Sequence, residues 1–458
     1  MQQRIAVILA AGEGKRMKSS LPKVLHRLCG RTLLGHVLGA VDPLCAEKII
    51  VVGHGADSVR KEFGDSVRYA HQERQLGTGH AVMQAAPLLP PSGLVFVLCG
   101  DTPLLTVDVL RSLQVVHEER GAAATVLTSR VPEATGYGRI VRDTTGGLSR
   151  IIEDRDATGE ERKIDEVNTG VYLFEAAALH DALPSLRNDN SQEEYYLTDV
   201  LQILLQKGLA VAACCVNDWR LALGINDRAQ LAEAETLLRA RINTQLMLSG
   251  VTMVDPETTY VDAGVHVGRE TVLLPGTLLL GHTTVGEGCA IGPHTEIRDS
   301  VLGSSVVVRH SVVTGSILDD DVSVGPFAHL RPETRLHTGV KVGDFVEIKK
   351  SDIGRGSKVP HLSYVGDAEV GCDVNLGAGT IVVNYDGRQK HVTRIGDRTF
   401  IGCNSNLVAP LSIGEGAFVA AGSTVTRDVP AEALALGRVR QINKEKMAAR
   451  FLQREDEG

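Results

Sequence analysis

Aromatic side chains are scarce in this sequence: one Trp, eight Tyr and eight Phe among 458 residues. Glycine is plentiful, at 48 residues, and the combination suits tight turns and repetitive β-structure. Cys-x-x-Cys pairs are lacking; the eight cysteines are Cys29, Cys45, Cys99, Cys214, Cys215, Cys289, Cys372 and Cys403. Zinc and a disulfide framework are therefore not expected, and a reducing, cytoplasmic setting is the simplest reading. The N-terminal run "IAVILAA" meets Glu13, Lys15, Arg16 and Lys18 at once, too short for a membrane span and wrongly flanked for a signal peptide. Excess positive charge is also missing. The net charge of −8 disfavours a nucleic-acid polymer as partner, although a small anion needs only a local cationic site.

The length suggests two domains or more, and the sequence changes period part-way. Up to about residue 226, the apolar runs "RIAVIL", "KIIVVG", "LVFVLCG", "AATVLTS" and "GVYLF" alternate with the helical stretches "TLLGHVLGAVDPL" and "TGHAVMQAAPLL". Such alternation predicts a layered, Rossmann-like α/β domain with a mostly parallel sheet. Residues 227–248 carry Leu231, Ala234, Leu238, Ile242 and Leu246 at spacings of three and four, one amphipathic connecting helix. Beyond it, apolar residues return every sixth position: Val261 to Ile297, Val324 to Ile348, Ile395 to Val425. Hexapeptide periodicity predicts a parallel β-helix over 249–458; a β-sandwich would alternate with period two. The register breaks between Val382 and Ile395, where an insertion emerges as a loop, often on a binding face. The last segment, "EALALGRVRQINKEKMAARFLQRE", reads as a charged helical tail.

Two stretches carry chemistry. "RIAVILAAGEGKRM" runs from a strand into Gly12 and Gly14 and then Lys15 and Arg16, so backbone N–H groups can approach phosphate while cations offset its charge. It is neither a Walker A loop nor the dinucleotide fingerprint. Taken alone it is equally a structural turn, but Lys23, Gly77 and Thr78 add to it. Asp101 follows an apolar strand, where parallel sheets place ligand sites; it reads as a helix cap or as a Mg²⁺ ligand. In the repeats, Arg331 and Lys349 could grip a sugar phosphate, and His361, Tyr364, Asn375, Asn384 and Tyr385 interrupt the pattern. Each alone suits a solvent-facing scaffold position.

"LAAGEGKRMKSSLPKVLH" resembles the signature of sugar-nucleotide pyrophosphorylases. With the hexapeptide half, the chain resembles, nearly end to end, the bacterial family of bifunctional N-acetylglucosamine-1-phosphate uridylyltransferases / glucosamine-1-phosphate acetyltransferases. The resemblance implies a left-handed coil and a homotrimer with its acetyl site shared between subunits. It implies acetyl transfer from acetyl-coenzyme A to glucosamine 1-phosphate, then uridylyl transfer from UTP, feeding peptidoglycan and lipopolysaccharide precursors. Leu9, Ala10, Ala11, Gly12, Gln72, Gly77 and Thr78 would hold the nucleotide, with Lys23 and Arg16 meeting its charge. Gly138, Glu153 and Asn168 would bind the acetylated sugar, and Asp101 and Asn226 the Mg²⁺. Arg331, Lys349, Tyr364, Asn375, Asn384 and Tyr385 would shape the glucosamine 1-phosphate site. Ala378, Cys403, Ala421 and Arg438 would line the acetyl-coenzyme A groove. His361 would be the base, since the ordinary imidazole pKa of about 6.5 suits deprotonating an amine. The Gly377–Ala378–Gly379 turn would supply oxyanion donors. Cys99 and Cys403 depart from residues frequent in relatives, and Ser363 stays unassigned. An inert β-helix on a single-activity enzyme gives no reason for His361, Tyr364 and Asn384 to occur together. A non-catalytic scaffold subunit predicts an eroded Gly loop, Lys23 or Asp101.

Overall fold

The computed structural model describes residues 3–452. The chain forms two compact units, 1–239 and 240–458, and the division falls inside the single helix Arg228–Leu248.

In the first unit the apolar runs are strands of one sheet. Its order is Val211–Val216, Ala124–Arg130, Glu166–Glu175, Leu94–Cys99, Arg4–Ala10, Glu47–Val52, Arg68–His71. All neighbours are parallel except Glu166–Glu175, which runs antiparallel to both of its neighbours. Strand Arg4–Ala10 shows why its run is continuously apolar. Ile5 and Val7 enter one core, Ala6, Ile8 and Ala10 the other, so both faces are covered. Leu9 pairs with Cys99, and Gly100 N–H donates to Leu9 O at 2.9 Å. The Gly12 loop and Asp101 therefore leave the sheet side by side, at the carboxyl ends of parallel strands.

The second unit is a left-handed parallel β-helix of three sheets, holding eleven, ten and nine strands among the described residues. We number these sheets as first, second and third faces. The hexad residues point inward: Leu273, Leu279, Ile291, Ile297, Leu330, Leu336, Ile348, Ile401 and Leu407 have no solvent exposure. The gaps between the strict sequence runs are not breaks in the coil. Leu302, Val308, Val313 and Leu318 continue the core with some steps of five residues rather than six. The one long excursion is where the register broke: Tyr385 and Lys390 bridge as a small antiparallel hairpin between strands Ile381–Val383 and Thr393–Ile395.

The helical tail is corrected. Leu434–Ala435 adds a further strand to the first face, Arg438 and its neighbours are irregular, and the only described helix there is Ala449–Leu452. Gly437 packs against Thr424 and donates its N–H to Ser423 Oγ at 3.2 Å, so the coil captures a segment whose composition alone suits a helix.

Candidate functional sites

In the first unit, Leu9, Ala10, Ala11, Gly12, Lys23, Gln72, Gly77 and Thr78 line one cavity, together with Gln75, Cys99, Asp101 and Glu194. The loop is built for close approach. Gly14 has φ +64°, and a Cβ there would sit 2.6 Å from Lys23 Cβ. A Cβ on Gly12 would meet nothing within 4 Å, which leaves an open cradle above the loop. Buried Gln72 ties the far wall, donating to Gly77 O at 3.1 Å, and Gln75 donates to Ala11 O at 2.8 Å.

A second cavity holds Gly138, Glu153 and Asn168, with Tyr137, Tyr172 and Thr198. Burial pushes the Glu153 carboxyl up, although the Thr198 hydroxyl donates to it at 3.3 Å. Asn168 donates to the Tyr172 hydroxyl at 2.8 Å, which fixes the direction of its amide. The two cavities share Leu9, Thr78, Cys99 and Asp101. A molecule filling both passes these four residues, Asp101 being the one charged group among them.

Four groups converge there. Lys23 Nζ pairs with Asp101 Oδ2 and lies 3.2 Å from Asn226 Oδ1, which also accepts from Arg16 Nη2 at 2.9 Å. The lysine ammonium thus stands between a carboxylate and an amide oxygen, where a cation would sit. These hard oxygens fit Mg²⁺, which commonly takes one or two protein ligands and completes its shell with phosphate and water. Cys99 is no competitor for that cation, because burial pushes its thiol up to about 12.

In the β-helix, most of the candidate site residues occupy two columns. Asp344, His361, Ala378, Cys403 and Ala421 each follow a first-face core residue (Val342, Val359, Leu376, Ile401, Val419) by two positions. They form one corner of the prism. His361 Nδ1 pairs with Asp344 Oδ1 on the coil beneath, and that hydrogen bond holds the Asp344 carboxyl below its usual range. Asn404 N–H donates to Ala378 O at 2.7 Å and Gly422 N–H to Cys403 O at 2.8 Å, so the corner is stitched along its length. Arg438 Nη1 donates to Ala421 O at 2.9 Å, bringing the irregular tail to the end of this column. Cys403 is exposed.

The second column begins after second-face core residues: Arg331 follows Leu330, Lys349 follows Ile348, and Gly366 follows Val365. The missing side chain at Gly366 is used by its neighbours. A Cβ there would lie 2.5 Å from Tyr364 Oη and 2.8 Å from Asn384 Nδ2. Asn384 cannot yield, since it donates to buried Asp367 at 2.5 Å. Gly366→Ala should therefore displace one or two packed polar groups and cost about 1–3 kcal/mol of stability. Denaturant unfolding checks this, and an unchanged midpoint would show that Tyr364 and Asn384 do not pack against Gly366.

Not every expected residue joins these columns. Asn375 lies on the first face between Lys358 and Phe400, and Tyr385 is exposed on the hairpin. Ser363 is accounted for as scaffold: its hydroxyl donates to His361 O at 2.7 Å, as Ser351 does to Lys349 O. Two residues escaped the sequence reading. Asp344 had a signal, since it and His361 hold the same place in successive coils. Lys390 had none: it stands on the hairpin, and its interaction with Lys349, with burial and the Arg331 charge, lowers the Lys349 pKa.

Residues 6–197 match the MobA-like NTP transferase domain family, and residues 393–427 match the bacterial transferase hexapeptide family of six repeats. The chain is 54% identical to the bifunctional protein GlmU of Halalkalibacterium halodurans over 447 residues, 97% of this chain and 98% of that one. It is 53% identical to the bifunctional protein GlmU of Heliobacterium modesticaldum, over 98% of this chain and 99% of the relative. A Geobacillus bifunctional protein GlmU is 51% identical over the same shares.

The chain belongs to the GlmU family.

Both halves of a GlmU chain are thus present, and each half carries its own cluster of polar side chains. Among the described residues, no helix is long and apolar enough to cross a membrane.

Proposed function

We propose that this GlmU-family chain makes UDP-N-acetylglucosamine in two steps, at two separate sites. The second unit transfers the acetyl group of acetyl-coenzyme A to glucosamine 1-phosphate. The first unit then joins the product to UTP and releases pyrophosphate. The pairing of His361 with Asp344 carries the bifunctional reading, because an inert oligomerisation prism has no use for an oriented imidazole.

In acetyl transfer, Asp344 accepts the Nδ1 proton of His361 and leaves Nε2 to take a proton from the substrate amine. The amine nitrogen bonds to the thioester carbon, the carbon–sulfur bond breaks, and the proton on His361 passes to the departing thiolate. Of the three N–H groups in the glycine turn, Gly377 donates to Ile401 O at 2.8 Å and Gly379 to His361 O at 3.3 Å. Ala378 N–H makes no hydrogen bond among the described residues, and it is the donor we assign to the oxyanion. Ala378, Cys403, Ala421 and Arg438 supply the coenzyme groove; Arg331, Lys349, Tyr364 and Asn384 hold the sugar phosphate. Asn375 and Tyr385 stand apart from that cluster, which supports a site completed by a neighbouring copy in a homotrimer.

In uridylyl transfer the nucleophile is already an anion, so the protein needs no general base. Leu9 to Gly12, Gln72, Gly77 and Thr78 hold the nucleotide, and Gly138, Glu153 and Asn168 hold the sugar. The two meet at Asp101. Asp101 and Asn226 would hold Mg²⁺, which when bound offsets phosphate charge. Lys23 and Arg16, released from these oxygens, turn to the phosphates and align two anions for in-line attack. Use of UTP and acetyl-coenzyme A, both cytoplasmic metabolites, supports a cytoplasmic protein.

A coupled assay with glucosamine 1-phosphate, acetyl-coenzyme A, UTP and Mg²⁺ tests the reading. Omitting acetyl-coenzyme A should stop pyrophosphate release, and adding N-acetylglucosamine 1-phosphate should restore it. Pyrophosphate release from glucosamine 1-phosphate and UTP alone, as fast as in the full mixture, would overturn the order of steps.

A further inference from the structure

One wall of the nucleotide cavity is held by a histidine that does not line it. Gln72 and Gly77 face the cavity, and His80, on helix Thr78–Ala85, reaches Gln72 from the other side. The segment around Tyr195 straps this region. Gly79 N–H donates to Tyr195 O and Tyr195 N–H to Leu76 O, each at 2.8 Å, and Leu197 N–H donates to Thr78 Oγ1 at 3.1 Å. The His80 and Tyr195 rings lie 6.2 Å apart, tilted by 30°.

Hydrogen-bond chemistry decides what His80 does. Gln72 Nε2 lies 3.1 Å from Gly77 O and 3.0 Å from His80 Nδ1. A carbonyl oxygen only accepts, so the end of the Gln72 amide facing Gly77 is its NH2. The second N–H of that group points to His80 Nδ1, which must therefore offer a lone pair. The ring carries its proton on Nε2, the nitrogen 3.2 Å from the Gln84 amide. Both N–H groups of buried Gln72 are thus engaged by the protein, and Oε1 is what remains for a ligand. Without the His80 anchor, the amide is freer to turn and present N–H instead. That difference separates two pyrimidines. Uracil carries a proton on N3 and cytosine a lone pair, so a fixed acceptor favours uracil, whereas a turning amide serves both.

We propose that His80 is a positioning residue for uridylyl transfer: by accepting from Gln72 it locks the amide with its oxygen toward the base, and so sets a preference for UTP over CTP. This rests on the uridylyltransferase reading above. His80 touches no reacting atom and acts through Gln72.

Pyrophosphate release by the full-length protein, with UTP and with CTP, tests it. His80→Phe keeps a ring beside Tyr195 but lacks the acceptor. It should lower the ratio of kcat/KM for UTP to that for CTP about fivefold to tenfold, the effect of one hydrogen bond, mostly through a higher KM for UTP. Acetyl transfer should stay unchanged. His80→Asn sets an Oδ1 near the place of Nδ1 and should recover most of the preference. Gln72→Ala should lose the preference outright, and adding His80→Phe should lower it no further. If the phenylalanine variant does not fold, the wild-type tautomer carries the test, and nitrogen-15 shifts of the His80 ring should place the proton on Nε2. No preference in wild type, an unchanged ratio in folded His80→Phe, equal losses with both nucleotides, or a proton on Nδ1 would overturn the role of His80. A wild-type protein that releases no pyrophosphate from UTP and N-acetylglucosamine 1-phosphate would instead sink the underlying reading of the site.

Discussion

His361→Ala should lower coenzyme A release at least about a hundredfold, toward the ten-thousandfold end of what a general base supplies, while pyrophosphate release stays near wild type. The expectation follows from geometry. His361 stands on the same corner as Ala378, Cys403 and Ala421, and Asp344 occupies Nδ1, which leaves Nε2 as the ring nitrogen for the substrate amine. The side chain is more than half exposed, so its removal leaves no cavity in the core and the variant should fold. Asp344→Asn should give a smaller defect in the same activity, because it leaves the base in place and removes its orienting charge. The two reactions are followed separately, by thiol release and by pyrophosphate release. Loss of both in a folded His361→Ala protein would show that the sites are not independent.

Asp101→Ala should have the reverse effect. Pyrophosphate release should fall about a thousandfold, equivalent to several kcal/mol of lost charge stabilisation, and acetyl transfer should persist. Asp101 lies where the two cavities meet and pairs with a lysine that is itself mostly buried. Removing the carboxylate leaves Asn226 as that lysine's remaining partner, so some stability is also lost. Asp101→Asn separates the two effects. It keeps an oxygen acceptor for Lys23 but lacks the charge that favours a divalent cation. It should fold like wild type, bind Mn²⁺ more weakly by paramagnetic titration, and still be slow. Full uridylyl transfer by the asparagine variant would remove Asp101 from the metal site.

The architecture was legible because both periods are local. Six-residue spacing aims every peg inward whatever lies on the next coil, and a strand such as Arg4–Ala10 is apolar throughout because helices cover both faces. The phosphate loop was legible for a similar reason: its glycines and cations are neighbours in sequence. The tail was misread because composition records helix preference, whereas an open coil edge offers strand pairing to whatever segment follows.

The sequence by itself determined two layered units, the six-residue coil, the place of the excursion, and His361 as an odd residue on a regular scaffold. Only the tertiary structure decided which groups meet. It set Asp344 beneath His361, placed Lys23 between Asp101 and Asn226, and left Ala378 N–H, among the described residues, as the amide of its turn with no hydrogen bond. The reason is physical. Strand and peg preferences are properties of short segments, whereas these contacts join coils or strands whose separation in the chain depends on every turn between them.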